Sequence, residues 1–127
     1  MKHNFKRMDI WLRSKALAKE IYDKNRDFPP EEKFGLLLQI RKSAVSIPSN
    51  IAEGCGRSTD KETARFMDIA VGSSCELETQ LYLGMDLNYF DQTDGKIMID
   101  ELVQIRKMII GFKNKLEVSE RPRKDKV

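Results

Sequence analysis

Apolar residues in this chain recur at steps of three and four in four separate stretches, the period of helices that each bury one face. The last stretch is the most regular. Met98, Leu102, Ile105, Ile109, Phe112 and Leu116 stand at steps of four, three, four, three and four, a bundle-forming seam. Before it, Phe66, Ile69, Ala70, Leu77, Leu81 and Leu87 predict a helix entered through Thr59, with Glu62 completing a capping box. Ile40, Ala44, Ile47 and Ile51 mark another helix. It is predicted to begin at Pro30, with Glu31 and Glu32 near its positive end, and to stop at Gly54-Cys55-Gly56. The first helix is expected from Asp9 to Asn25, with Trp11, Ala18, Ile21 and Tyr22 inward. It ends before Asp27-Phe28-Pro29-Pro30, which cannot continue a helix. Asn88 to Gly95 is the last joint, with Asp91 or Asp94 as the cap. No strand alternation, internal repeat or low-complexity tract appears. The expected fold class is all-α, a four-helix bundle over residues 1–118 followed by a basic flexible tail over 119–127.

The second helix carries a second stripe beside its apolar one. Gln39, Ser43, Ser46, Asn50 and Glu53 recur at four, three, four and three, where a solvated stripe would be dominated by Lys and Glu. Short and amide side chains suit close approach of a neighbouring helix that satisfies them. Gln39, Asn50 and Glu53 are therefore expected to face Glu76 and Gln80 on the third helix. Arg41 or Arg65 would supply the positive charge that buried carboxylates require. Such a network fixes helix register. The same seam could instead meet a partner. If Glu53 is buried there, Glu53→Ala should cost about 2–4 kcal/mol. Pro48 falls inside the stretch, removes one backbone hydrogen bond and predicts a helix kink.

Size and charge narrow the picture. At 127 residues the chain can bury one core. No apolar run reaches the ~18 residues a membrane span needs, and the N-terminus has cations without a following apolar segment, so a cytoplasmic protein is expected, with no membrane partner. Cys55 and Cys75 then read as two reduced, packed thiols. The net charge of +3 hides a segregation. Residues 1–30 carry eight Lys or Arg against four acids, residues 59–95 two against eight, and residues 96–127 nine against five. Such a distribution serves head-to-tail contact between identical subunits, or presents a basic face to a polyanion.

Catalytic chemistry finds little to work with. A di-iron bundle needs Glu-x-x-His pairs, and the single histidine, His3, stands at an end expected to fray. Glu76 and Glu78 lie about 200° apart on a helix and cannot readily share an ion, and Asp68 is two turns from Glu76, which weakens a nucleotide-hydrolase reading. No histidine is placed to activate a cysteine, and no nucleophile elbow or Walker motif is present. Neither a cofactor, a metal nor a small-molecule substrate is expected. Contacts to RNA or DNA would fall to Lys2, Lys6, Arg7, Arg13, Lys15 and Lys19, to Arg106, Lys107, Lys113 and Lys115, and to Arg121, Arg123 and Lys124 in the tail. No base-reading motif accompanies them.

Gln39 to Arg57, QIRKSAVSIPSNIAEGCGR, resembles the signature of the four-helix-bundle proteins encoded inside 23S ribosomal RNA intervening sequences. The resemblance continues in Arg65 to Gly84, RFMDIAVGSSCELETQLYLG, begins with Asp9-Ile10-Trp11 and Phe28-Pro29, and covers roughly residues 5 to 116. It implies an up-and-down bundle that assembles into a ring, a homopentamer. The family has no established biochemical activity. A distant relative is the accessory protein of diversity-generating retroelements, a basic pentameric bundle that partners a reverse transcriptase and nucleic acid. The expected function is thus a non-enzymatic, nucleic-acid-associated accessory or assembly factor. The alternatives are a protein–protein scaffold without nucleic acid and, more distantly, a bundle-type nucleotide hydrolase.

Overall fold

The computed structural model describes residues 3–24 and 27–120. Four helices, α1 (Asp9–Asp23), α2 (Leu36–Cys55), α3 (Asp60–Asp86) and α4 (Gln92–Glu120), dominate, with 3-10 turns over Phe5–Arg7 and Pro30–Phe34. No strand occurs among the described residues. Each helix packs on the next, α1 closes against α4, and the diagonal pairs keep their backbones apart. Contacts run in opposed order along every adjacent pair. Met8 meets Cys55 and Tyr22 meets Arg41 between the α1 and α2 sides. Ser43 meets Glu76 and Gly54 meets Thr63 across α2 and α3. Ser74 meets Arg106 and Asp68 meets Lys113 across α3 and α4. The chain is an up-and-down four-helix bundle.

The core follows the apolar periods. Ile21, Ile40, Ile47, Ile51, Met67, Leu77, Leu81, Met98, Leu102, Ile105 and Ile109 are fully buried. Each contributes about 1.5–3 kcal/mol of hydrophobic stabilisation. Three residues expected inward point outward instead: Tyr22, Ile69 and Leu87 are 44%, 42% and 47% exposed. Ile69 and the C-cap Leu87 share a side of α3 with Gly72 and Leu83, away from Leu77 and Leu81, so these apolar residues lie outside the monomer core.

The ends of the helices show where local chemistry decided the boundaries. Thr59 Oγ1 accepts the Glu62 N–H at 3.1 Å, as a cap should. Asp91 Oδ2 accepts the N–H groups of Thr93 and Asp94 at 3.1 and 3.2 Å and starts α4. α3 closes with Asn88 at φ 61°, donating to Met85 O, and Tyr89 donating to Gly84 O, a Schellman motif. The second helix starts at Leu36, later than the prolines suggest. Pro30–Phe34 form a 3-10 turn, and the Glu32 carboxylate accepts the Leu36 N–H at 2.8 Å, so the acid caps α2 from outside it. α2 runs on through Pro48, which is buried, to Cys55.

α1 ends at Asp23, and Asn25 lies outside the described residues. α4 continues two residues into the predicted tail, where Ser119 Oγ donates to Asp60 Oδ2 at 2.6 Å. Residues 121–127 lie outside the described residues. The N-terminal end is more engaged than expected. His3 packs edge-on against Phe112, with ring centroids 5.2 Å apart, and its Nε2 lies 3.8 Å from Asp60. Cys55 is buried against the Met8 sulfur, and burial pushes its thiol pKa up, so it stays protonated. Cys75 is exposed rather than packed.

Candidate functional site

The small polar residues of α2 do meet α3, through serines as much as through the longer side chains. Ser43 Oγ donates to Glu76 Oε1 at 2.9 Å, and Gln80 Nε2 approaches the same oxygen at 3.4 Å. Ser46 and Ser73 share a hydrogen bond of 2.8 Å, and Asn50 Nδ2 reaches both the Ser46 carbonyl and its hydroxyl at 2.8 and 2.9 Å. Asn50, Glu76 and Gln80 therefore lie on one seam. Gln39, Glu53, Arg41 and Arg65 do not join it. Gln39 and Arg65 are exposed. Arg41 turns to the opposite side of α2, where its guanidinium lies 4.6 Å from the Tyr22 ring centroid.

Glu53 is the plainest correction. Its side chain is 55% exposed and pairs with Arg57, one turn on, at 3.0 Å. The cause is the crossing at Gly54, where a Cβ would sit 2.7 Å from Phe66 Cβ. Helices that close leave no room between them for a carboxylate, and Glu53 sits on the rim. Glu53→Ala is thus expected to cost no more than about 0.5 kcal/mol, because exposed i,i+4 pairs contribute little. A denaturant midpoint lowered as far as by a core truncation would contradict this placement.

The expected nucleic-acid contacts divide into two groups. Arg13, Arg106 and Lys113 are committed within the bundle. Arg106 Nε donates to Ser74 Oγ at 2.8 Å and one terminal nitrogen donates to Ser74 O at 3.2 Å, while the same nitrogen bridges to Glu78. The Arg106 and Glu78 side chains are only 19% and 25% exposed. Arg13 Nε donates to Glu101 Oε2 at 3.0 Å, and that bond holds the guanidinium above its ordinary pKa. Lys113 pairs with Asp68 at 2.6 Å, which raises its pKa in the same way. These side chains act as clamps between helices, a role their spacing in sequence did not reveal.

The remaining cations face water. Lys19 pairs with Asp23 on the surface, and Lys15 lies over the Trp11 ring at 5.0 Å. Lys6, Arg7, Lys107 and Lys115 are exposed and meet no carboxylate among the described residues. Lys115 shares a groove with Met8, Asp9 and Phe112, which brings the end of α4 beside the first 3-10 turn and its Lys6 and Arg7. Lys2, Arg121, Arg123 and Lys124 lie outside the described residues. Among the described residues no three His, Cys, Asp or Glu side chains gather as a metal site would require. Among the described residues no helix is long and apolar enough to cross a membrane.

A solved structure resembles this bundle. A protein of unknown function from the S23 ribosomal protein family of Bacteroides thetaiotaomicron superposes with a TM-score of 0.75 at 23% identity, covering 82% of this chain and 97% of its own. That likeness shows the fold. No curated protein matches the sequence. The model of the 23S rRNA-intervening sequence proteins matches residues 6–111, an interval that contains both long motifs and all but the end of the α4 seam. The chain belongs to the 23S rRNA-intervening sequence protein family.

Proposed function

We propose that the protein is a non-enzymatic, homo-oligomeric bundle of the cytoplasm that associates with nucleic acid as an accessory or assembly factor. The observation that carries this reading is the division of the cations. Arg13, Arg106 and Lys113 are spent on the fold, whereas Lys6, Arg7, Lys107 and Lys115 are exposed without acidic partners among the described residues. Exposed cations without ion pairs suit phosphates, which supply most sequence-independent affinity. Self-association draws on a different surface. Ile69, Leu83 and the C-cap Leu87 stand exposed on a stripe along α3 that also carries Glu76 and Gln80, and Gly72 beside them has no neighbour within 4 Å of where a Cβ would stand. A glycine in mid-helix costs about 1 kcal/mol relative to alanine, and close approach of a second copy would give it a purpose. A homopentamer would repeat each basic patch five-fold and multiply weak phosphate contacts.

The protein–protein scaffold reading shares the stripe and dispenses with the phosphates. For the hydrolase reading, Asp23, Asp27, Asp91 and Asp94 line a groove of about 280 Å³ without gathering as a metal site would require. Asp91 caps α4 and Asp94 pairs with Lys24 at 3.3 Å, so both have structural duties. The test is binding of generic RNA and duplex DNA across a salt series, with mass from light scattering. The expected mass is about five times the 14.7 kDa chain. Affinity is expected to fall log-linearly with salt, with slight sequence preference. A monomer at all concentrations, or no binding near ~50 mM salt, would overturn the corresponding half of the proposal.

A further inference from the structure

At the other end of the α1/α2 pair, Tyr22, Lys33, Phe34, Arg41 and Lys42 line an open groove of about 530 Å³ with no carboxylate in its lining. Phe34 is 81% exposed on the 3-10 turn, and the cation over its ring is Lys33 Nζ, 5.8 Å from the centroid. Tyr22 is 44% exposed and carries the Arg41 guanidinium on its face. Arg41 Nε is buried and has no hydrogen-bond partner among the described residues. Of the nearby acids, Glu32 caps α2 through the Leu36 N–H and Asp23 pairs with Lys19, while Glu31 is exposed on the 3-10 turn and does not line the groove.

An exposed Phe34 ring, a Tyr22 ring covered by the Arg41 guanidinium, and two lysines in a lining without acids match one chemistry well. We infer that this groove binds a segment of single-stranded nucleic acid, with bases stacking on Phe34 and on the Arg41 guanidinium over Tyr22 and phosphates meeting Lys33 and Lys42. Stacking on aromatic side chains is tolerant of sequence, and arginine over a ring adds to it. A duplex keeps its base faces stacked internally and cannot offer them to Phe34, so the groove discriminates single from double strands. The inference rests on the nucleic-acid reading but uses a surface apart from Lys6, Arg7, Lys107 and Lys115.

The test is fluorescence anisotropy at about 50 mM salt with a labelled oligouridine of about 15 nucleotides and a duplex of equal length. Phe34→Ala should weaken oligouridine binding about fivefold or more, leaving duplex affinity, melting temperature and scattering mass unchanged. Phe34→Tyr, which keeps a stacking ring, should retain it. If wild type binds oligouridine and Phe34→Ala binds it equally well, the groove is not the site, while nucleic-acid association stands. If Phe34→Ala changes the mass, a second copy covers the groove and the inference falls. If wild type binds neither probe, both readings fall together.

Discussion

Arg106→Ala should lower the free energy of unfolding by about 2–4 kcal/mol, an effect expected of a structural clamp and not of a surface cation. The side chain ties α4 to α3 through Ser74 Oγ, Ser74 O and Glu78 at once. Removing it leaves the Glu78 carboxylate, with its side chain 25% exposed, without its cation. Breaking a fully buried pair costs about 3–5 kcal/mol, and the residual exposure reduces that figure. Arg106→Lys should recover only part of the loss, because an ammonium cannot span the hydroxyl, the carbonyl and the carboxylate as the planar fork does. Urea midpoints measure this directly. An Arg106→Ala midpoint level with wild type would return Arg106 to the solvent-facing cations.

Gly54→Ala is the second large effect, a loss of about 1–3 kcal/mol from overpacking at the α2/α3 crossing. The added Cβ would lie 2.7 Å from Phe66 Cβ and 3.0 Å from Met67 Cε. Phe66 Cβ is anchored to its own backbone and cannot swing aside, so the helices must separate. Separation also strains the bond from Thr63 Oγ1 to Gly54 O, 2.8 Å long and buried. Alanine's better helix propensity returns about 1 kcal/mol, and because Phe66 Cβ cannot yield the net loss is expected near the upper limit of about 2 kcal/mol. Gly72→Ala supplies the contrast. With open space at its Cβ, the monomer should gain about 0.5–1 kcal/mol. Equal midpoints for the two variants would show that the α2/α3 crossing is looser than its geometry indicates.

The sequence made the four helices and the α4 seam legible because their apolar period is a local property. Met98, Leu102, Ile105, Ile109 and Leu116 are all buried where the steps of three and four place them. Caps were legible for the same reason, since Thr59 and Asp91 act within three residues of themselves. Errors arose wherever the outcome depended on a neighbouring helix. Ile69 and Leu87 fit a helical period, but α3 carries apolar residues on two sides and only one side meets the core. Glu53 belongs to the polar stripe by spacing and is expelled from it by the approach at Gly54.

Arg106 and Arg13 read as basic surface because nothing local reveals that Glu78 and Glu101 stand across from them. Ser43, absent from the predicted network, carries its shortest link to Glu76, and the signal that could have found it was its place in the stripe itself. The groove at Phe34 was missed for a further reason. It joins a 3-10 turn to α1 and α2, and no periodicity within one helix assembles it.

The division of the cations is most directly tested by changing Lys6, Arg7, Lys107 and Lys115 together to alanine and repeating the salt series. All four are exposed, so melting temperature and oligomer mass should match wild type. The slope of log affinity against log salt on duplex DNA should become shallower by up to about 0.9 for each phosphate that is no longer neutralised. Such flattening, with the fold intact, is what the account predicts. An unchanged slope and affinity in a well-folded variant would contradict it.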